Sequence, residues 1–281
     1  MKNFKFLSFL LAASFFISCS KDDSSGSGSN QPPAVDNTPI PGQFQKRVLV
    51  EDYTGTWCGY CPRISYGIEK VLEQSTKVVP VAIHQQSGSG YDPYHFAGAT
   101  PLKTLIDLQG YPTGKLNRML TWSYPENSNI NQVKNLALNN VGLGLALNST
   151  VSGGNINLDV KIKFAKDYTN LKLVVYVLEN NLIYDQVNYT SFYGGGSIIQ
   201  NFEHDNVLRA CLTNSILGDA ITESTTNGQT ITKNFTVAIP SSVSNAANLS
   251  FVAFVVDGAD NKAINVRGSL PNENQQFEIN P

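Results

Sequence analysis

The chain has 281 residues and a formal net charge of -2, with 20 Lys and Arg against 22 Asp and Glu. That balance excludes a polyanion binder working by bulk positive charge, and no nucleic-acid partner is expected. Apolar residues make up 41% and charged residues 15%, enough for a sizeable core in one large domain or two ordinary ones. Much of the polarity is uncharged, including 29 asparagines. After the N-terminus no run reaches 18 consecutive apolar residues, so no spanning helix is predicted there.

Residues 1–18 read as a secretory signal, with Lys2 and Lys5 ahead of an apolar run from Phe6 to Ile17. The sequence Phe16-Ile17-Ser18-Cys19 resembles a bacterial lipobox, although Phe16 departs from the usual Leu. By that resemblance Cys19 is the lipidated first residue and anchors the protein to a membrane. The residues alone also fit an ordinary secretory signal. Ser20-Lys21-Asp22-Asp23 looks like the acidic tag that sends Bacteroidetes lipoproteins to the outer face of the outer membrane; as bare residues it is a solvated charge run. Residues 19–43 are rich in Ser, Gly and Pro and are expected to be a disordered tether, with a reach of about 25 Å.

Folded sequence begins near Phe44. Val48-Leu49-Val50 predicts a buried strand, and residues 59–74 switch to helical spacing with Ile64, Ile68, Val71 and Leu72 on one face. Val78 to Ile83 reads as a strand, and Pro80 inside it favours an edge position. Thr100-Pro101 opens a second helix, closed by Gly110, and a third spans about 128–140. Strands alternating with helices predict an α/β unit over residues 44–140. Residues 155–164 then alternate through Ile156, Leu158, Val160, Ile162 and Phe164. Further strand-like runs follow at 171–178, 182–189, 207–212, 230–239 and 249–256. This spacing predicts an all-β immunoglobulin-like sandwich over residues 141–281.

The chemistry-bearing segment is Asp52-Tyr-Thr-Gly-Thr-Trp57-Cys58-Gly59-Tyr60-Cys61-Pro62. A CxxC joining a strand to a helix reads as a redox motif. At a helix start, unpaired N–H groups and the dipole would stabilise a Cys58 thiolate, and Cys61 one turn on could resolve a mixed disulfide. Gly59 would keep the approach open. The same cysteines admit an inert structural disulfide or half of a zinc site. Asp52 can serve as a proton acceptor for Cys61 or as a strand-end cap, and Glu51 should face the other side of the strand.

Trp57-Cys58-Gly59-Tyr60-Cys61 resembles the thioredoxin-superfamily active site, and its Cys-Gly-Tyr-Cys quartet is like that of periplasmic disulfide isomerases. Gly110-Tyr111-Pro112-Thr113 stands where that superfamily places a cis-proline loop. The resemblance implies a thioredoxin-like domain and thiol–disulfide exchange with a protein or peptide partner. It places Cys58, Cys61 and Asp52 in catalysis, with Trp57, Gly59, Tyr60, Tyr111 and Pro112 against the substrate. No cofactor is implied, but an unknown redox partner must recycle the pair. Glu51-Asp52-Tyr53-Thr54-Gly55, Tyr-Pro-Thr with Asn117-Arg118, and His204-Asp205-Asn206-Val207-Leu208-Arg209 also resemble the 28-kilodalton outer-membrane-protein-related lipoproteins of Bacteroidetes. That family implies an outer-membrane location, facing the cell surface or the periplasm. It leaves a non-catalytic surface module, working through the sandwich, as the alternative to an oxidoreductase.

Cys211 is expected to be a buried core thiol rather than a third redox cysteine. His84, His95 and His204 lack ligand spacing, and no metal is expected. The loop 85–99 either lines a groove beside the CxxC or packs over the sheet. A third reading, glycan or nutrient uptake, would need Trp122 or Tyr193 to form an exposed platform.

Overall fold

The structure, a computed structural model, describes residues 44–88 and 90–280, which fall in one compact unit. The expected signal segment, the Cys19 lipidation site and the tether lie outside these residues. In chain order the strands and helices are β1 (Val48–Thr54), α1 (Pro62–Leu72), β2 (Val78–His84), α2 (Thr100–Leu105), β3 (Thr113–Leu116), β4 (Leu120–Thr121), α3 (Ile130–Leu136), β5 (Leu143–Ser152) and β6 (Asn155–Phe164). They continue as β7 (Leu171–Glu179), β8 (Leu182–Val187), β9 (Ile198–His204), β10 (Val207–Cys211), β11 (Asp219–Ala220), β12 (Thr230–Ala238), β13 (Leu249–Asp257) and β14 (Ala263–Ser269).

One nine-stranded sheet has the order β14-β13-β7-β10-β2-β1-β3-β4, with β11 added to β7. β1 and β2 run parallel, whereas β1 and β3 are antiparallel. A three-stranded sheet, β12-β6-β5, packs against this one, and β8 and β9 form a separate two-stranded ribbon. Three apolar layers hold the assembly. Leu49, Tyr53, Val81 and Ile83 share one face of the large sheet with Val174, Tyr176, Val252 and Phe254. On the opposite face Val48 and Val50 meet Ile64, Val71, Trp122 and Val133. On that same face Val175, Val177 and Phe251 meet Leu147, Leu158, Val160 and Ile162 of the small sheet. β1, β7 and β13 contribute alternate residues to opposite layers, which a period of two requires.

This topology corrects the expected fold class, an α/β thioredoxin-like domain followed by an all-β immunoglobulin-like sandwich. The chain is β-rich. Its helices are short, at 11, 6 and 7 residues. The large sheet runs through the expected boundary: β10, from beyond residue 141, pairs with β2 at Val207 and Ala82 and with β7 on its other side. β2 is therefore interior, not an edge. It tolerates Pro80 because β10 meets it only at Ala82, leaving the missing N–H of Pro80 outside that ladder. α2 begins at Thr100, but Ala99 holds the N-cap position and no side chain caps it.

The asparagine content has a local use. Asn117, Asn170, Asn181, Asn201, Asn206, Asn261 and Asn272 all adopt positive φ. Asn is a non-glycine residue that enters the left-handed region at low cost, so it serves at turns next to strands and, at Asn201, at the irregularity within β9. The ends of the described chain are clasped. Phe44 bridges to Val141 and Ile279, and Arg47 pairs with Glu278 at 2.5 Å.

Candidate functional site

β1 delivers the site. Its burial is complete along all seven residues, so it ends at Thr54 with its flanking turn held against the sheet. In that turn Cys58 N–H donates to the Gly55 carbonyl, and Cys61 N–H donates to the Cys58 carbonyl. α1 begins only at Pro62, with Cys61 as its N-cap residue. Cys58 is thus in the turn four residues ahead of the helix, which corrects the expected helix start near residue 59. Cys58 and Cys61 are joined in a disulfide. They are 5% and 1% exposed, so the pair is buried.

The adjacent carboxyls Glu51 and Asp52 point to opposite faces of β1, as expected. Glu51 is fully buried, with Arg118 Nη2 at 3.5 Å from its Oε1. Burial pushes the Glu51 carboxyl up while the Arg118 guanidinium opposes the rise. Arg118 also donates to the Tyr176 hydroxyl and lies over the Phe254 ring. Asp52 lies on the α1 side, and burial raises its carboxyl well above the usual range, with Glu126 adding to the rise. Its Oδ1 has no hydrogen-bond partner. It lines a cavity of about 120 Å³ with Ser65, Glu69, His84, Gln186 and His204.

The loop 85–99 is knitted to the motif. Trp57 Nε1 donates to the Gln85 carbonyl at 2.7 Å, and Thr56 N–H donates to Asp92 at 2.8 Å. Asp92 also meets His84 Nδ1 at 2.8 Å and accepts from Tyr94 N–H. Burial would raise the Asp92 carboxyl, but the His84 contact and the two N–H bonds hold it below its ordinary value. His204 comes within 5.1 Å of His84, ring to ring, a contact no sequence spacing revealed. Burial, then His84, push the His204 imidazole down to about 3, so it is neutral. His95 lies apart, accepting from Gln86 N–H.

The other expected residues fall as follows. Tyr111 sets its ring edge-on to Trp57 at 5.5 Å, which brings the 111–112 loop beside the motif. The Tyr111–Pro112 bond is cis and Pro112 is buried. Tyr60 is 55% exposed and packs edge-on against Tyr189 at 5.6 Å. Cys211 is only partly buried, correcting the expected core thiol; its sulfur lies 3.1 Å from Thr213 Oγ1. Burial raises its thiol. Trp122 is buried under α1 with its N–H on the Asn129 carbonyl, so it forms no surface platform.

What sequence reading missed is the cover. From the end of β8 onward, residues 186–193 cross the CxxC turn as a strap. Gln186, itself buried, donates to the Gly55 and Cys58 carbonyls. Val187 N–H donates to the Thr56 carbonyl at 2.9 Å, and Tyr189 N–H to the Gly59 carbonyl at 2.6 Å. A Cβ on Gly59 would stand 2.3 Å from the Tyr189 ring, so only glycine admits the strap. Phe192 stacks on Tyr66 of α1 at 4.3 Å. The aromatic cluster at 189, 192 and 193 followed by three glycines was visible in sequence, but nothing there linked it to the cysteines.

The family profile of Outer membrane protein Omp28 matches residues 99–275. Among solved structures, HBP35 of Porphyromonas gingivalis is similar at a TM-score of 0.64 and 19% identity, over 85% of this chain and 81% of that one. That likeness is one of fold. A domain of the outer membrane lipoprotein Omp28 from Porphyromonas gingivalis is 21% identical over 48% of this chain and 92% of its own, with a TM-score of 0.33. No curated protein matches the chain.

Proposed function

The chain belongs to the Omp28 outer membrane protein family, and from that premise we propose that it serves in the outer membrane as a non-catalytic binding or scaffold module. One observation carries this reading: the Cys58–Cys61 disulfide is buried and its turn is tied down by the strap. Thiol–disulfide exchange needs a sulfur that a thiolate can reach. A covered four-residue loop instead acts as a staple on the turn between β1 and α1. Binding then falls to the β-rich half, where the β5–β6–β12 sheet presents its polar side to solvent. The partner is a protein or peptide, and lipid on Cys19 supplies the membrane attachment.

The contact of Trp57 with Tyr111 favours a second reading, because it sets the 111–112 loop beside the disulfide. In it Cys58 is the attacking sulfur, Cys61 resolves and Asp52 holds the proton. Trp57, Gly59, Tyr60, Tyr111 and Pro112 then line the path of a partner chain. Dithiothreitol-driven reduction of insulin, followed by turbidity, separates the two. The binding-module reading expects the native protein to be no faster than Cys58→Ser/Cys61→Ser. It also expects that double variant to lose about 2 kcal/mol of stability, the entropy of a four-residue closed loop. Native protein that accelerates turbidity when the double variant does not would establish the exchange reading instead.

A further inference from the structure

We propose that the strap, residues 186–193, is a gate on the redox state of the Cys58–Cys61 disulfide: closed, it holds the turn with both sulfurs buried, and displaced, it opens Cys58 to thiols. This goes beyond a static staple, because it makes the crosslink conditional on the position of a separate segment.

Three features show a built closure. First, the fit is to backbone. Val187 and Tyr189, at alternate positions, donate to the carbonyls of Thr56 and Gly59, in the manner of a short added strand. Gln186 fills the same role with its side-chain amide toward Gly55 and Cys58. Second, the motif is shaped for the cover. Gly59 has no Cβ where the Tyr189 ring lies, so the site residue and the strap residue are complementary. Third, the cover is peripheral to the sheets, although buried Gln186 and Asn188 and the Tyr193 hydroxyl, which donates to Glu69 at 2.6 Å, anchor it. The β8–β9 ribbon that carries it belongs to neither large sheet. Tyr189 is 64% exposed, so its ring gives up little buried area on leaving. Tyr193, Gly194 and Gly195 all have positive φ, at 54°, 87° and 70°, and form a glycine-rich turn where the strap ends. The core layers continue without it.

The chemistry is exchange with a small dithiol. With the strap displaced, one thiolate of the dithiol attacks Cys58 Sγ; the Cys58–Cys61 bond breaks and Cys61 leaves as thiolate. The second thiolate of the reagent attacks the mixed disulfide and releases Cys58. The reagent is oxidised to its cyclic disulfide, the protein gains two electrons, and the two protons of the reagent end on Cys58 and Cys61. Coupling is reciprocal: whatever lifts the strap promotes reduction, and reduction weakens strap closure.

The test is the rate at which dithiothreitol reduces the disulfide in the folded full-length protein. Quenched alkylation and mass spectrometry of the tryptic peptide from residue 48 to residue 63 report both cysteines and exclude Cys211. Native protein and Tyr189→Phe, which keeps the ring and the backbone bond, should react within about twofold of each other. Tyr189→Gly and Gln186→Ala should each react at least about tenfold faster, with the guanidinium-unfolded chain as the upper limit. Circular dichroism establishes that each variant is folded; should one fail to fold, the other decides on the same criterion. Equal rates in native protein and the folded strap variants would overturn the gate. So would native protein reacting as fast as the unfolded chain.

Discussion

Two adjacent carboxyls on β1 face opposite sides of the sheet, and their surroundings give them different chemistry. Glu51 faces the Arg118 guanidinium at 3.5 Å, its oxygens otherwise without hydrogen bonds, while Asp52 enters a small cavity with an oxygen that has neither a hydrogen bond nor an ion pair. The alternation was legible from sequence, since a strand sends neighbours to opposite faces. The guanidinium was not, because Arg118 arrives from a turn 67 positions away that no local pattern orients. The raised Asp52 carboxyl gives a pH prediction with a definite sign. Below about pH 4 the group is protonated in both folded and unfolded chains. Above it the unfolded chain releases the proton while the folded chain keeps it, so stability falls as pH rises toward the raised folded value. Each pH unit crossed costs about 1.4 kcal/mol. Asp52→Asn removes that dependence. Its melting temperature should exceed that of the native protein by several degrees at pH 7, and the difference should close by pH 4. A variant that melts lower at pH 7 would show that the ionised carboxylate is stabilising in the fold.

At the scale of elements, legibility followed periodicity. β6 was read with its ends in place because five apolar residues alternate over ten positions, all five fully buried in the small sheet. α1 was legible from its apolar face, though its start moved to Pro62. Of the strands that escaped notice, β5 does alternate through Leu143, Leu145 and Leu147, but β9 and β14 lack that signal. β9 has polar residues at 200, 201 and 203 and lies in the exposed ribbon, and β14 is broken by Asn265, Arg267 and Gly268. Asn265 is buried there because it works as a backbone connector, its amide donating to the Leu143 carbonyl at 2.9 Å. The alternation in β6 makes a paired prediction. Leu158→Ala should cost 2–5 kcal/mol, roughly the range for a buried leucine truncation. Asn157→Ala, one residue away on the exposed side, should stay within about 0.5 kcal/mol of native. Urea titrations of both variants check this, and similar losses at the two positions would mean that β6 does not present one face to the core.

For the whole molecule, the decisive contacts are those that no local window contains. The expectation of an α/β unit closing near residue 140 rested on real local patterns. It failed as a fold class because β10 inserts between β2 and β7 and makes one sheet of both halves. The consequence reaches the core. Leu49, Tyr53, Val81 and Ile83 have as neighbours Tyr176, Leu208, Val252 and Phe254, all from beyond that point. Arg118, fully buried, donates to Tyr176 and covers Phe254. A fragment ending at residue 140 would leave this layer and this guanidinium facing water. Each large apolar side chain so exposed forfeits about 1.5–3 kcal/mol of burial, and a handful of them is comparable to the 5–15 kcal/mol by which whole domains are stable. The fragment 44–140 should therefore show no cooperative thermal transition and collapsed amide proton dispersion. Residues 44–281 should unfold in one transition, coincident by near- and far-ultraviolet circular dichroism. A fragment 44–140 that melts cooperatively would instead make the two halves independent folding units, with β10 serving only to dock them, and the disulfide turn would then be stable without its strap.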